Sequence, residues 1–137
     1  MILGVGVDIV EIPRIKESVE RFGDRFLRRV FTEAELAYAM DKAARYNHLA
    51  ARFAAKEAVA KCLPKSSTQG RMTWKSVEVA RDADGKPSVR LNGAMSDFLR
   101  DDERVDLSLS HGRDYANAVA IWRLVSSELE RERLAPR

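Results

Sequence analysis

The sequence predicts one domain in which a helical block and a set of strands occupy separate stretches of the chain. Three observations predict it. Ile2 to Val10 is a short apolar run next to a helix-starting proline. From Ile12 to Leu63 apolar residues recur at helical spacing, and after Trp74 they alternate between turn residues. The 137 residues suffice for a single core and not for two, with a globular balance of 45% hydrophobic and 33% charged residues.

Taken in order, Ile2 to Val10 reads as a buried strand, with Gly4 and Gly6 allowing close backbone approach. Pro13 suits a first helical turn. Ile12, Ile15, Val19, Phe22, Phe26 and Val30 form one apolar stripe, which Gly23-Asp24 divides between two helices. Thr32-Glu33-Ala34-Glu35 is a capping-box signature. Asn47 is a candidate cap for a long helix that runs to Leu63 and stops at Pro64. Lys65 to Arg71 reads as a polar loop. Trp74 to Ala80 and Pro87 to Leu91 read as strands around the turn Asp82 to Gly85, and Gly93 to Arg100 as a short helix. Val105 to Ser110 and Ala116 to Trp122 are two more strands around His111 to Asp114. The domain is expected to span residues 1–125. Residues 126–137 form a charged tail without an apolar stripe, expected as a frayed helix or a disordered end.

Composition narrows the function. One cysteine, Cys62, excludes an intrachain disulfide, and its helical apolar setting suits a buried inert thiol. No apolar run approaches the roughly 20 residues of a membrane span. Asp8 and Glu11 interrupt the N-terminal run and no basic residue precedes it, which does not fit a secretory signal, so a cytoplasmic location and no membrane partner are expected. The net charge of +3 is too mild to argue for nucleic acid. With one Cys and only His48 and His111, a zinc site fits poorly, and neither GxGxxG nor a P-loop is present.

The helix from Leu49 to Leu63 carries the chemistry. Small and apolar residues surround its whole circumference, the pattern of a buried helix, yet it holds Arg52, Lys56, Glu57 and Lys61. Glu57 and Lys61 are four apart and share a face. On a solvated surface such a pair is worth only about 0.3–0.5 kcal/mol. Buried charge, in contrast, is costly unless paired or metal-bound. Asp8, an acid inside an apolar strand, has a plain explanation as a tie to the next loop. Combined with Glu57 it gives two carboxylates with few other ligands, a set that suits Mg²⁺ on a phosphate-bearing substrate, with Lys61 neutralising phosphate charge.

A second feature follows the strand. Arg14, Ser18, Arg21, Arg25 and Arg28 fall within about 80° of one another if the helical phase continues past Gly23. Such a face is commonly just solvated. Four arginines at five aligned positions favour an acidic partner, either protein or nucleic acid. A nucleic-acid module would leave Glu57 and Lys61 unexplained and lacks clustered aromatics for base stacking.

Three segments together resemble one family. They are Gly4-Val-Gly-Val-Asp-Ile-Val-Glu-Ile-Pro-Arg-Ile15, Arg52-Phe-Ala-Ala-Lys-Glu-Ala58 with Lys61, and Ser108-Leu-Ser-His-Gly-Arg-Asp-Tyr-Ala-Asn-Ala-Val119. From Met1 to about Arg123, with Asp84-Gly-Lys-Pro87 also fitting, the chain resembles the holo-[acyl-carrier-protein] synthases, the small-subunit 4′-phosphopantetheinyl transferases. The resemblance implies an α+β fold with an antiparallel sheet wrapped around a long buried helix, assembled as a homotrimer with sites between subunits. It implies transfer of the phosphopantetheine arm of coenzyme A to a serine of apo acyl carrier protein, releasing adenosine 3′,5′-bisphosphate, and no nucleic-acid partner. By motif position Asp8 and Glu57 would bind Mg²⁺ and Lys61 the phosphates. Arg52 and His111 would meet the nucleotide end, and the backbone near Pro87 the adenine. Arg14, Ser18, Arg21, Arg25 and Arg28 would dock the carrier. The serine proton would pass to Glu57 or to a metal-bound water. His111 alternatively serves as a turn residue hydrogen-bonded to Asp114. The chain departs from the family in having Ala51 where a glycine is usual, and Pro64 to Gly70 where a short glycine-rich turn is usual. There Ser66, Ser67 or Thr68 could take over phosphate contacts.

Overall fold

The computed structural model describes residues 1–125 and 127–136. The element order is β1 (Ile2–Glu11), α1 (Ile12–Phe22), α2 (Asp24–Val30), α3 (Glu33–Ala39), α4 (Arg45–Cys62), α5 (Lys65–Thr68), β2 (Val77–Arg81), β3 (Pro87–Leu91), β4 (Glu103–His111), β5 (Tyr115–Leu124) and α6 (Glu128–Leu134). This is an α+β fold. One antiparallel sheet has the order β1-β5-β4, and β2 and β3 form a separate antiparallel hairpin.

Small side chains decide how the layers meet. One face of β1 presents Gly4, Gly6, Asp8 and Val10, which pair with Trp122, Ala120, Ala118 and Ala116 of β5. Ala116, Ala118 and Ala120 are fully buried, as are Ala54, Ala55 and Ala58 of α4. A Cβ at Gly4 would overlap the Cys62 carbonyl oxygen, and one at Gly6 the Ala58 carbonyl oxygen. Only glycine therefore lets α4 lie this close to β1. Ten residues of the 18-residue α4 are buried, because β1, β4 and β5 cover one side and α1, α3 and β2 the rest. Burial pushes the Cys62 thiol up to about 11, the inert state expected of it.

Several elements differ from the sequence reading. Helix α4 begins at Arg45 without a side-chain cap, so Asn47 lies inside it. Its amide is free to reach His111 Nδ1 at 3.5 Å and the Gly112 carbonyl at 3.4 Å. Trp74 to Ser76 is a 3₁₀ turn instead of strand, because the Ser76 hydroxyl accepts from the Thr73 amide at 2.9 Å. The loop after Pro64 contains the short helix α5, and the helix expected to Arg100 is a single 3₁₀ turn at Gly93–Met95. The charged tail forms α6, capped by Ser127 and joined to Arg123 through Glu130; Ser126 and Arg137 lie outside the described residues. Gly23, at φ 55, interrupts the helical phase between α1 and α2. Ile12, Ile15, Leu27 and Val30 consequently face the core, whereas Phe22 is 49% exposed. The capping box at Thr32 and Glu35 is present as read.

Candidate active site

The alternation of β1 turns Asp8 to the α4 side, one step beyond Gly6. There its Oδ1 accepts from Lys61 Nζ at 2.9 Å, and the same ammonium donates to the Val7 carbonyl at 3.2 Å. Glu57 lies one turn before Lys61 and is half-buried. Burial, and then the charge of Asp8, push the Glu57 carboxyl above its ordinary value, while Lys61 pulls the other way. Asp8 holds Lys61 protonated, through the hydrogen bond first and its charge second.

This corrects the expected buried Glu57–Lys61 pair. Lys61 is exposed and pairs with Asp8. The buried ion pair of α4 is Lys56 with Glu35, at 2.8 Å and nearly without solvent. Sequence reasoning saw Glu35 only as a helix cap. Its second role showed no sequence signal, because the partner lies on another helix.

Glu57 is shared by two cavities. One, of about 440 Å³, also presents Asp8, Arg14, Ser18, Phe26 and Phe53. The other, of about 270 Å³, is lined by Lys56, Thr68, Met72, Thr73 and Trp74. Of the hydroxyls considered for the loop after Pro64, Thr68 lines this second cavity and Ser66 and Ser67 do not. Arg14, Arg21, Arg25 and Arg28 are exposed, and Ser18 is half-buried. The break at Gly23 divides these residues between α1 and α2, so they are not one continuous helical stripe.

Arg52, Pro87 and His111 meet at a third cavity of about 170 Å³, together with His48 and Arg81. Arg52 is buried, and its Nε has no hydrogen-bond partner. His111 is exposed and packs edge-on to His48, with ring centroids 5.6 Å apart. Its hydrogen-bond contact is Asn47, while the Asp114 carbonyl accepts from the Ile12 amide. Neither Asp8 nor Glu57 lines this cavity. Burial, followed by the charges of Arg52 and His111, lowers the His48 pKa. Sequence reasoning left His48 and Arg81 without a role.

Among the described residues no three His, Cys, Asp or Glu side chains cluster as a metal cage. No described helix is long and apolar enough to cross a membrane. What the arrangement offers is a carboxylate pair beside a lysine, and a separate cationic cavity.

Over residues 4–122 the chain matches the 4′-phosphopantetheinyl transferase superfamily. It is 45% identical over 123 residues to the holo-[acyl-carrier-protein] synthase of Koribacter versatilis, covering 88% of this chain and 98% of that protein. The holo-[acyl-carrier-protein] synthase structure from Neisseria meningitidis superposes with a TM-score of 0.77 at 34% identity, covering 90% of this chain and 99% of that one. The Helicobacter pylori holo-[acyl-carrier-protein] synthase in complex with coenzyme A gives 0.70 at 27% identity, covering 87% and 99%. The match carries the segments around Asp8, Glu57 and His111, and α6 lies beyond it; the chain belongs to the 4′-phosphopantetheinyl transferase superfamily.

Proposed function

We propose that this chain transfers the 4′-phosphopantetheine arm of coenzyme A to a serine of an acidic apo acyl carrier protein, at a Mg²⁺ site formed by Asp8 and Glu57. The observation that carries it is that Asp8 and Glu57 line one cavity, with Lys61 ion-paired to Asp8. The donor set fits the ion. The Glu57 pKa is raised partly because Asp8 is near, so a divalent cation held by both carboxylates would relieve that repulsion. Two protein carboxylates leave coordination positions for water and pyrophosphate oxygens, as Mg²⁺ requires. When bound, the ion supplies positive charge where negative charge builds on the pyrophosphate.

The chain's own residues do the rest. Lys61, held by Asp8 and the Val7 carbonyl on an exposed face, offers its remaining N–H to a phosphate oxygen. The serine proton would pass to the Glu57 carboxylate or to a water held by the ion. Arg14 and Ser18 line the same cavity, so a carrier docked on α1 brings its serine towards Glu57. Arg21, Arg25 and Arg28 extend the basic surface that an acidic carrier meets. Arg52, His111 and the backbone at Pro87 receive the nucleotide end.

The reading includes a homotrimer with shared sites. Arg52 and Glu57 are five residues apart on α4, about 140° around it. One coenzyme A touching both ends therefore calls on two copies of the chain. The exposed row Ile2, Val5, Val7 and Ile9 of β1, beside Val119, supports burial of this sheet face against another copy. The reading also includes a cytoplasmic location, in keeping with the free Cys62 thiol.

The test is to incubate the protein with coenzyme A, Mg²⁺ and an apo carrier and to weigh the carrier by mass spectrometry. A gain equal to the phosphopantetheine arm is expected, and an unmodified carrier contradicts the reading. Light scattering checks the trimer.

A further inference from the structure

Helix α6 lies wholly beyond residues 4–122 of the family match, and its own packing does not account for it. It is seven residues long and has no buried residue. A helix of fewer than about 12–15 residues is marginal without packing. Two side chains fasten it. The Ser127 hydroxyl accepts from the Glu130 amide at 3.1 Å, and the Glu130 carboxylate pairs with Arg123 of β5, which also holds Asp106 of β4. Leu134 turns towards its own chain, at a cleft of about 610 Å³ that Ser88 of β3 and Leu107 of β4 also line. Leu129 stands about 140° away around the helix and is 62% exposed.

The pairing register places that free side. Ile2, Val5, Val7 and Ile9 of β1 stand opposite Arg123, Ile121, Val119 and Asn117 of β5, so these side chains share one sheet face. The register shift between Ile2 and Gly4 is what brings Ile2 onto this face with Val5. The four β1 residues are between 58% and 63% exposed, an apolar row that calls for a cover. The opposite face of the sheet is already taken by α4. Arg123 ends the row, and α6 is tied to Arg123, so a body lying along the row runs up to α6. The occupant that the rest of the molecule favours is a second copy. Arg52 and Glu57 lie about 140° apart on α4, and one coenzyme A touching both needs two chains. The charges of α6 also mix, with Glu128, Glu130 and Glu132 against Arg131 and Arg133, which suits a neighbour of equally mixed charge better than a strongly acidic carrier.

We infer that the free side of α6, led by Leu129, docks on a second copy of this chain and extends the subunit interface of the β1–β5 face. Each α6 is then a strap, fixed to its own chain by Glu130 and Leu134 and to its neighbour by Leu129. This rests on the homotrimer reading. It adds that the segment after Val125, which the transfer chemistry does not use, sets how firmly the copies hold together.

The experiment follows oligomer size against protein concentration by sedimentation velocity, for the parent, Leu129→Asp, Leu129→Met and Val5→Asp, all as full chains. Leu129 is in the first turn of α6, where an added carboxylate favours the helix, so Leu129→Asp opposes docking without melting α6. It is expected to raise the concentration at which half the oligomer dissociates by about 10-fold or more, as loss of a buried leucine implies. Leu129→Met keeps the parental midpoint. Val5→Asp, within the exposed row, is expected to give monomers. Hydrogen exchange of the α6 amides is expected to be slow in the parent oligomer and fast in the Val5→Asp monomer. A Leu129→Asp midpoint equal to the parent's, or α6 amides that exchange alike in oligomer and monomer, overturns the inference. If Val5→Asp dissociates while Leu129→Asp does not, the homotrimer reading stands and the strap is refuted. A parent that stays monomeric, or a Val5→Asp protein that associates like its parent, overturns both.

Discussion

Lys56 Nζ lies 2.8 Å from Glu35 Oε1, with both side chains almost wholly out of solvent, one residue away from Glu57. The ammonium also donates to the carbonyls of Trp74 at 3.1 Å and Val77 at 2.5 Å, and Glu35 Oε2 accepts from the Val79 amide at 2.9 Å. The pair thus ties α3 and the start of β2 to the helix that bears Glu57. Lys56→Met leaves a buried carboxylate without its counter-charge and is expected to cost about 3–5 kcal/mol. Glu35→Gln added to that variant removes the orphaned charge while keeping an acceptor for Val79, and recovers part of the loss. Urea unfolding of both checks this; an unaltered midpoint in Lys56→Met contradicts it.

Gly6→Ala puts a methyl group against the Ala58 carbonyl, which is backbone and cannot turn aside. The strand must lift from α4 and carry Asp8 with it. A loss of about 1–3 kcal/mol is expected, with a fall in kcat from the displaced carboxylate. Denaturant titration and single-turnover kinetics measure the two effects, and an alanine variant with parental values for both would refute the close-approach argument.

Glu57→Gln is expected to remove activity without lowering stability. The Glu57 pKa is raised from 4.5, so the folded form holds this proton more tightly than the unfolded chain does. That contribution is full below about pH 4.5 and disappears as pH rises through the folded pKa, above which the charged carboxylate burdens the fold. Melting curves without divalent metal should show the glutamine variant gaining on the parent between about pH 4 and pH 8. A difference that does not change with pH would show that Glu57 lacks the raised pKa.

Reversing the charge at Arg21 and Arg25 addresses carrier docking. Both are exposed and line none of the cavities holding Asp8, Glu57 or Arg52. KM for the carrier should rise about 10-fold or more, most at low ionic strength, with coenzyme A binding unchanged. Carrier kinetics equal to the parent's would remove this face from the docking reading.

Much of this arrangement was legible in the sequence because it is local. A nine-residue apolar run interrupted by Asp8, and an alanine-rich helix bearing Glu57, state their periodicities outright. The partners of long side chains were not legible. The spacing of four residues points Lys61 to Glu57, but the glycines of β1 bring Asp8 closer to it. Lys56 and Glu35 are matched only after three elements pack. The Arg14 to Arg28 face depended on an unbroken helix, which Gly23 does not allow. Tyr38 and Arg81 meet Arg52 across separate elements, and no spacing along the chain announces that.

Asp8 and Glu57 are proposed as the metal end of a coenzyme A site. The most direct measurement is mass spectrometry of an apo carrier after incubation with coenzyme A, with and without Mg²⁺, using the parent and Glu57→Gln. An added phosphopantetheine arm is expected only with the parent and only with the metal. Full modification by Glu57→Gln, or by the parent after the metal is removed, would contradict it.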